Sequence, residues 1–334
     1  MHKQIVNELR LSFVIRPQGP ILIKSGREAG ADPTLLDMNF VRIHHGQLGE
    51  TVYLPGSSLK GTIRSYCEKI ARTVVPGDDH FCCNPLDGKE SCGARVQDEN
   101  KRREKAKEPL LTSAEVYRRL CTACKLFGHT VMASHLQIAD AYPAQAINDP
   151  TSGTGQRDGV AIDRISGAVA VGPFNLEVVT RGEFSSHLYL KNFQLWQVGL
   201  LALALRDLKE GRVPIGFGKS RGLGRVAVDY SDLEVSYPGQ VGPTTDKDFG
   251  KYLYGVAAFA VANKEAYQFM DEKPLLLPAA RPVEDAEWGR ATLRWKLPEG
   301  ATKAQQAQTS QAIEEMLKAT VPTWQNYVIG RRPG

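Results

Sequence analysis

Hydrophobic and polar positions alternate over residues 3–16, where Ile5, Leu9, Leu11, Phe13 and Ile15 are separated by polar side chains. A period of two predicts a strand with one buried face. The period changes after Pro55-Gly56: Leu59, Ile63, Tyr66, Ile70 and Val74 fall on one face of a helix over residues 59–74. Pro55-Gly56 is a turn signal, and Ser57 or Ser58 is expected to cap the helix by accepting an early backbone N–H. Further on, residues 134–141 and 175–190 read as strands. Residues 193–208 read as a helix with a wide apolar face, ended by Gly211, and residues 223–237 contain another strand. The order strand, helix, strand, strand, helix, strand predicts an α+β fold of the split βαβ, ferredoxin-like kind.

The segments between these elements are less regular. Residues 19–43 read mostly as loop. Residues 76–125 form an insertion rich in Cys, Gly and charge, and its mixed-sign stretch 95–108 is expected to be a solvated face or a flexible segment. Residues 144–165, with Asp149-Pro150, Ser152-Gly153 and Gly155, read as a long loop or protruding hairpin. The core is therefore expected within residues 1–237. Beyond it, residues 238–248 look like a linker, 252–262 and 291–295 like strands, and 302–320 like a helix, together a C-terminal extension over 238–334.

Composition narrows the classes. A net charge of +5 and a pI of about 8.8 permit nucleic-acid binding without requiring it. Residues 1–10 are polar with no apolar stretch following, and the longest apolar run, 198–205, is too short to span a bilayer. The expectation is a soluble, cytoplasmic protein without a membrane partner. Without secretion, the 6 cysteines are not expected to form a disulfide framework. Cys121-Thr122-Ala123-Cys124 has the spacing of a metal knuckle. Cys92 is a third candidate ligand, Cys83 or Cys82 a fourth, and His80 a weaker substitute. Structural Zn²⁺ would staple an insertion with little core of its own. Cys67, within the first helix, reads as core.

Two segments suit an anionic backbone. The start of the first helix presents free N–H groups beside Ser57 and Ser58, with Lys60 and Arg64 on its first turns. The second segment, residues 215–225, holds Gly216, Gly218, Gly222 and Gly224 among Lys219, Arg221 and Arg225. It is neither a P-loop, because Val213 stands where the first glycine belongs, nor a dinucleotide fingerprint, because a strand follows where a helix is needed.

Four motifs in order resemble the RAMP superfamily of CRISPR proteins: Pro55-Gly56-Ser57-Ser58-Leu59-Lys60-Gly61, Leu126-Phe127-Gly128 after the cysteine knuckle, Ile162-Asp163-Arg164, and the loop from Gly216 to Gly224. Order and spacing look most like the repeated backbone subunit of type III effector complexes, including III-D or III-E-like members. The resemblance implies an RNA-recognition-motif-like core assembled along CRISPR RNA with other subunits. It also implies a thumb, here within 144–165, that displaces a nucleotide of the guide–target duplex. Guide contacts would come from Ser57, Ser58, Lys60, Arg64, Arg164 and the glycine-rich loop, and Arg42 would hold a phosphate. In target-cleaving members an aspartate before the Pro-Gly-Ser-Ser motif cuts target RNA with Mg²⁺ or Mn²⁺. By position this is Asp37, with Asp32 the runner-up. Two rival readings are a non-catalytic RNA-binding scaffold and a precursor-processing nuclease using His44 or His45 as base.

Overall fold

The computed structural model describes residues 4–26, 37–240, 246–259 and 261–331. Its first strand, β1 (Glu8–Pro17), is built as the alternation predicts: Leu9, Leu11, Phe13 and Ile15 are buried while Arg10, Ser12, Val14 and Arg16 take the other face. A small hairpin follows, β2 (Arg42–His45) with β3 (Gly49–Val52). Helix α1 (Gly56–Val74) buries Leu59, Ile63, Cys67 and Ala71 on one side. Its cap differs from expectation. Pro55 is the N-cap residue, and neither Ser57 nor Ser58 caps it. The Gly56 N–H instead donates to Asp140 Oδ1 at 2.7 Å, so the cap comes from a distant segment.

The insertion is helical. Helix α2 (Cys92–Lys105) starts on Ser91, whose side chain accepts from the Ala94 N–H. The mixed-charge stretch is thus mainly ordered helix, because its charges pair one turn apart: Glu99 binds both Arg102 and Arg103. Two short helices, α3 (Ser113–Arg119) and α4 (Thr122–Phe127), lead to strand β4 (Leu136–Ile138) and the two-residue β5 (Tyr142–Pro143).

Residues 175–190 are two strands rather than one. β6 (Thr154–Ile162) and β7 (Val169–Val179) form a separate antiparallel hairpin, and β8 (Phe184–Lys191) begins only after a turn. The projecting element is therefore centred further along the chain than 144–165. Helix α5 (Leu195–Lys209) and the long strand β9 (Val226–Pro238) complete the predicted series.

Beyond Pro238 lie β10 (Tyr252–Leu253), α6 (Val261–Tyr267), β11 (Leu275–Leu276), β12 (Arg290–Lys296) and α7 (Lys303–Ile329). Among the described residues of the expected strand 252–262, only Tyr252 and Leu253 form a strand. The last helix runs nine residues past the expected end at Thr320, through Pro322, because packing of Trp324, Tyr327 and Val328 holds its final turns.

The main sheet has the order β12-β9-β1-β8-β4, with β5 also on β8, and every pairing is antiparallel. β1 lies between β8 and β9, so the units β1-α1-β4 and β8-α5-β9 interleave. The mixed α+β architecture follows, with helices on one face of an antiparallel sheet. Helix α5 is buried nearly all round, because α7 covers the side that the sheet does not. The two helices approach so closely that a Cβ at Gly199 would lie 2.5 Å from the Thr320 carbonyl oxygen. Trp196 stacks on Tyr327 with ring centroids 4.0 Å apart. Residues after 238 thus share the core of those before it.

Candidate metal centre and nucleic-acid surface

The insertion brings Cys83, Cys92, Cys121 and Cys124 together, all buried, with their sulfur atoms all within 4.8 Å of one another. Local structure aims each one. Cys92 is the first residue of α2, and Cys121 is the N-cap of α4, placing Cys124 one turn on. The carbonyl of Cys83 is tied to Arg72 at 2.8 Å. Cys83 Sγ lies 3.6 Å from Cys121 Sγ and 3.7 Å from Cys124 Sγ. Four sulfurs about 2.3 Å from one tetrahedral ion stand roughly 3.8 Å apart. The donor set and its spacing therefore fit a single thiophilic dication such as Zn²⁺.

Of the adjacent pair, Cys83 and not Cys82 lies in the cluster. Cys82 turns its thiol to the Glu68 carbonyl at 3.7 Å, and burial pushes that thiol up to about 12. His80 is exposed and outside the cluster. Cys67 is buried beneath α5. Within the cluster, hydrogen bonds from Cys121 and then Cys124 hold the Cys83 and Cys92 thiols below the ordinary range. The Leu126-Phe127-Gly128 turn closes the site: Gly128 has φ +78°, and a Cβ there would meet the Ser134 backbone at 2.7 Å.

The second region is assembled from three remote segments. Residues 38–41 run beside the hairpin: Met38 N–H donates to Asn175 O at 3.2 Å, and Glu177 N–H to Met38 O at 2.9 Å. Asp37, exposed at the start of this run, accepts the Asn175 N–H on Oδ2 at 2.8 Å. The next residue back along β7, Phe174, carries the Arg221 guanidinium 5.8 Å above its ring. The Asp37 loop, the middle of the hairpin and the glycine-rich loop thus meet at Phe174-Asn175. Asp32 lies outside the described residues.

The glycine-rich loop is sewn to residues 20–24. Phe217 N–H donates to Leu22 O at 2.7 Å and Gly224 N–H to Pro20 O at 2.9 Å. Gly216 and Gly224 have φ of +73° and +92°, and a Cβ at either would sit 2.2 Å from a backbone oxygen. Backbone geometry alone therefore demands these two glycines. Gly218 and Gly222 also have positive φ. Lys219, Arg221 and Arg225 are exposed. Burial, and then the like charge of Lys69 on α1, lowers the Lys219 ammonium. Burial, and then Arg64, lowers Lys60 in the same way. The glycine-rich loop thus brings Lys219 near Lys69 of α1.

Other candidate residues are already engaged. Arg42 binds Glu177 at 2.6 Å and the Asn148 carbonyl at 3.1 Å. Arg64 binds Glu68 at 2.9 Å, Gly128 O at 3.1 Å and Cys124 Sγ at 3.6 Å. Ser57 is exposed and Ser58 half-buried on the first turn of α1, and Arg164 is exposed at the hairpin end beside the Asp163 turn. His44 is exposed, and His45 packs on Tyr142 with ring centroids 4.7 Å apart. Sequence reasoning missed Asp140, Phe174, Asn175 and Lys69. Of these only Lys69, one more cation on the α1 helix, left a sequence signal.

Against this geometry, the RAMP superfamily profile matches residues 15–227, more than half of the chain. The protein belongs to the RAMP superfamily. Membership supports a CRISPR-associated RNA-binding subunit. Comparison with curated proteins returns no match. Among the described residues, no helix is long and apolar enough to cross a membrane.

Proposed function

We propose that this protein is a CRISPR RNA-binding backbone subunit of a type III effector complex, and that Asp37 cleaves guide-paired target RNA. The sheet and its helices would serve as a ferredoxin-like, RNA-recognition-motif-like core. The guide backbone would lie on the first turn of α1 (Ser57, Ser58, Lys60) and on Gly216, Gly218, Lys219, Arg221 and Arg225. Arg42 and Arg64 would stiffen this surface from behind. The β6–β7 hairpin would be the thumb, with Arg164 near its end. Its exposed apolar residues Val160, Ile162, Ile165 and Val169 suit insertion between stacked bases. One observation carries the reading: Asp37 binds the β6–β7 hairpin at Asn175, next to Phe174, over which the glycine-rich loop sets Arg221. A target strand displaced by the thumb would pass this carboxylate. Asp37 would hold a hydrated Mg²⁺ or Mn²⁺ beside the scissile phosphate and the ribose 2′-hydroxyl. The chain would act in the cytoplasm, as part of antiviral defence.

The test is a reconstituted complex carrying Asp37→Ala. Guide binding should be retained, and target cleavage should fall at least about 100-fold at every regularly spaced position, the scale of losing one charge-stabilising group in a site. Unchanged cutting by Asp37→Ala with loss in Asp32→Ala would move the role to Asp32. A purified complex containing no RNA of roughly 30 to 50 nucleotides, the span of several repeated site sizes, would defeat the whole reading.

A non-catalytic scaffold is the second reading, favoured by the engagement of Asp37 Oδ2 with a backbone N–H. Cleavage indifferent to both aspartates and dependent on another subunit would establish it. Precursor processing through His44 or His45 is less supported, because His45 is packed against Tyr142 and its Nδ1 accepts the Gln47 N–H.

A further inference from the structure

The charges around the four cysteines carry more information than the sulfur spacing. Arg64 reaches from α1 to within 3.6 Å of Cys124 Sγ, and Arg95 reaches from α2 to within 3.6 Å of Cys92 Sγ. Neither guanidinium is idle elsewhere. Arg64 also binds Glu68 and the Gly128 carbonyl, while Arg95 binds the Asp79 carbonyl at 3.2 Å. Glu68 in turn is shared with Arg72 at 3.4 Å. Four thiolates around one dication would carry two negative charges, and two guanidiniums reach sulfurs of the cluster. Charge in such a site is tolerated when it is paired and hydrogen-bonded. The donors aimed at Cys92 and Cys124 therefore suit a tetrathiolate centre holding a dication.

We propose that Arg64 and Arg95 are the charge-balancing partners of this tetrathiolate centre, and that Arg64 makes helix α1 a structural part of it. Arg64 then acts through the sulfur of Cys124 as a positioning residue. Its fork joins the metal ligand, the Leu126-Phe127-Gly128 turn and Glu68 of its own helix. Metal loading would fix α1 against the insertion, and with it the turn of Ser57, Ser58 and Lys60. The inference rests on the metal reading of the cysteines and not on RNA binding, so it is tested without RNA.

The experiment uses the full chain loaded with Co²⁺, whose thiolate-to-metal charge-transfer band reports on the sulfur lone pairs. Outer-sphere partners typically contribute roughly 10–100-fold to metal affinity. Arg64→Gln and Arg95→Gln should each weaken Co²⁺ by about that factor in chelator competition. Each should also move the charge-transfer band to longer wavelength, because a thiolate that loses an N–H donor is easier to oxidise. Arg64→Lys should restore part of the affinity through its charge but not the band position. Arg95→Gln lies on a surface helix and guards against a folding failure at Arg64, with circular dichroism checking both. Wild-type affinity and an unmoved band in both Gln variants would overturn the proposal. A wild-type chain that takes up no Co²⁺ would overturn it together with the metal reading, and would leave the RNA reading standing.

Discussion

The cysteine centre and the Asp37–glycine-loop surface lie on opposite sides of a physical divide. The centre is closed: four buried sulfurs face one another, and Arg64 and Arg95 each reach one of them. The surface is open: Lys219, Arg221 and Arg225 point to solvent, and Lys60 and Lys219 are lowered by burial and then by like-charged neighbours. A closed set of donors offers room for one ion. An open set of cations offers its charge to a polyanion. On the proposed reading the first would serve stability and the second binding, although both include residues of α1.

That contrast can be broken most forcefully at the metal. Chelation, or Cys121→Ser with Cys124→Ser, should remove the ion and destabilise the chain by at least about 4 kcal/mol, given that structural zinc supplies of order 10 kcal/mol in small domains. Denaturant melts with and without chelator measure it. An unmoved curve would reduce the closed site to a cluster of buried thiols.

A smaller effect separates two glycines of the same motif. A Cβ at Gly56 would lie 2.1 Å from the Ile138 carbonyl oxygen, whereas one at Gly61 would meet nothing within 4 Å. Gly56→Ala should cost about 2–3 kcal/mol through forced separation of α1 from β4. Gly61→Ala should gain about 0.5–1 kcal/mol of stability as a better helix former. If Gly61→Ala nevertheless weakens RNA binding, an RNA backbone runs close over that turn.

The smallest effect belongs to the open surface. Lys219→Gln with Arg221→Gln should leave the melting point within about 1 °C, since exposed substitutions change stability little. RNA binding should weaken to a similar degree across unrelated sequences, and the slope of log affinity against log salt should fall by about 1 to 2. A sequence-selective loss would instead mean that the loop reads bases.

Much of the closed site was legible in the chain. The Cys-x-x-Cys spacing identifies Cys121 and Cys124, because helix α4 sets two sulfurs three residues apart on one side. Cys82 and Cys83 are adjacent and chemically identical, and only the turn of the backbone decides which faces the cluster. The open surface was legible in its composition but not in its assembly. Nothing in the sequence near Asp37 announces Asn175, whose N–H it binds from 138 residues away. The alternation through residues 175–190 hid a break, because the end of a projecting hairpin and the start of a core strand share the same period. Arg64 read as a cation for phosphate, and its contacts with Glu68, Gly128 O and Cys124 Sγ were not foreseen, since a helix start does not reveal which neighbour its second turn will meet.

By itself, then, the sequence determined the local periods, the order of the main sheet strands and their two helices, the family resemblance and the candidate cysteines, all properties carried by short intervals along the chain. Tertiary structure decided what those intervals touch. It interleaved the two β-α-β units, supplied the Asp140 cap to α1 and extended α7 across α5. It also brought Asp37, Phe174 and Arg221 to one point. The reason is physical: periodicity and ligand spacing are set by backbone geometry within a few residues, whereas long-range partners depend on packing that no local pattern records.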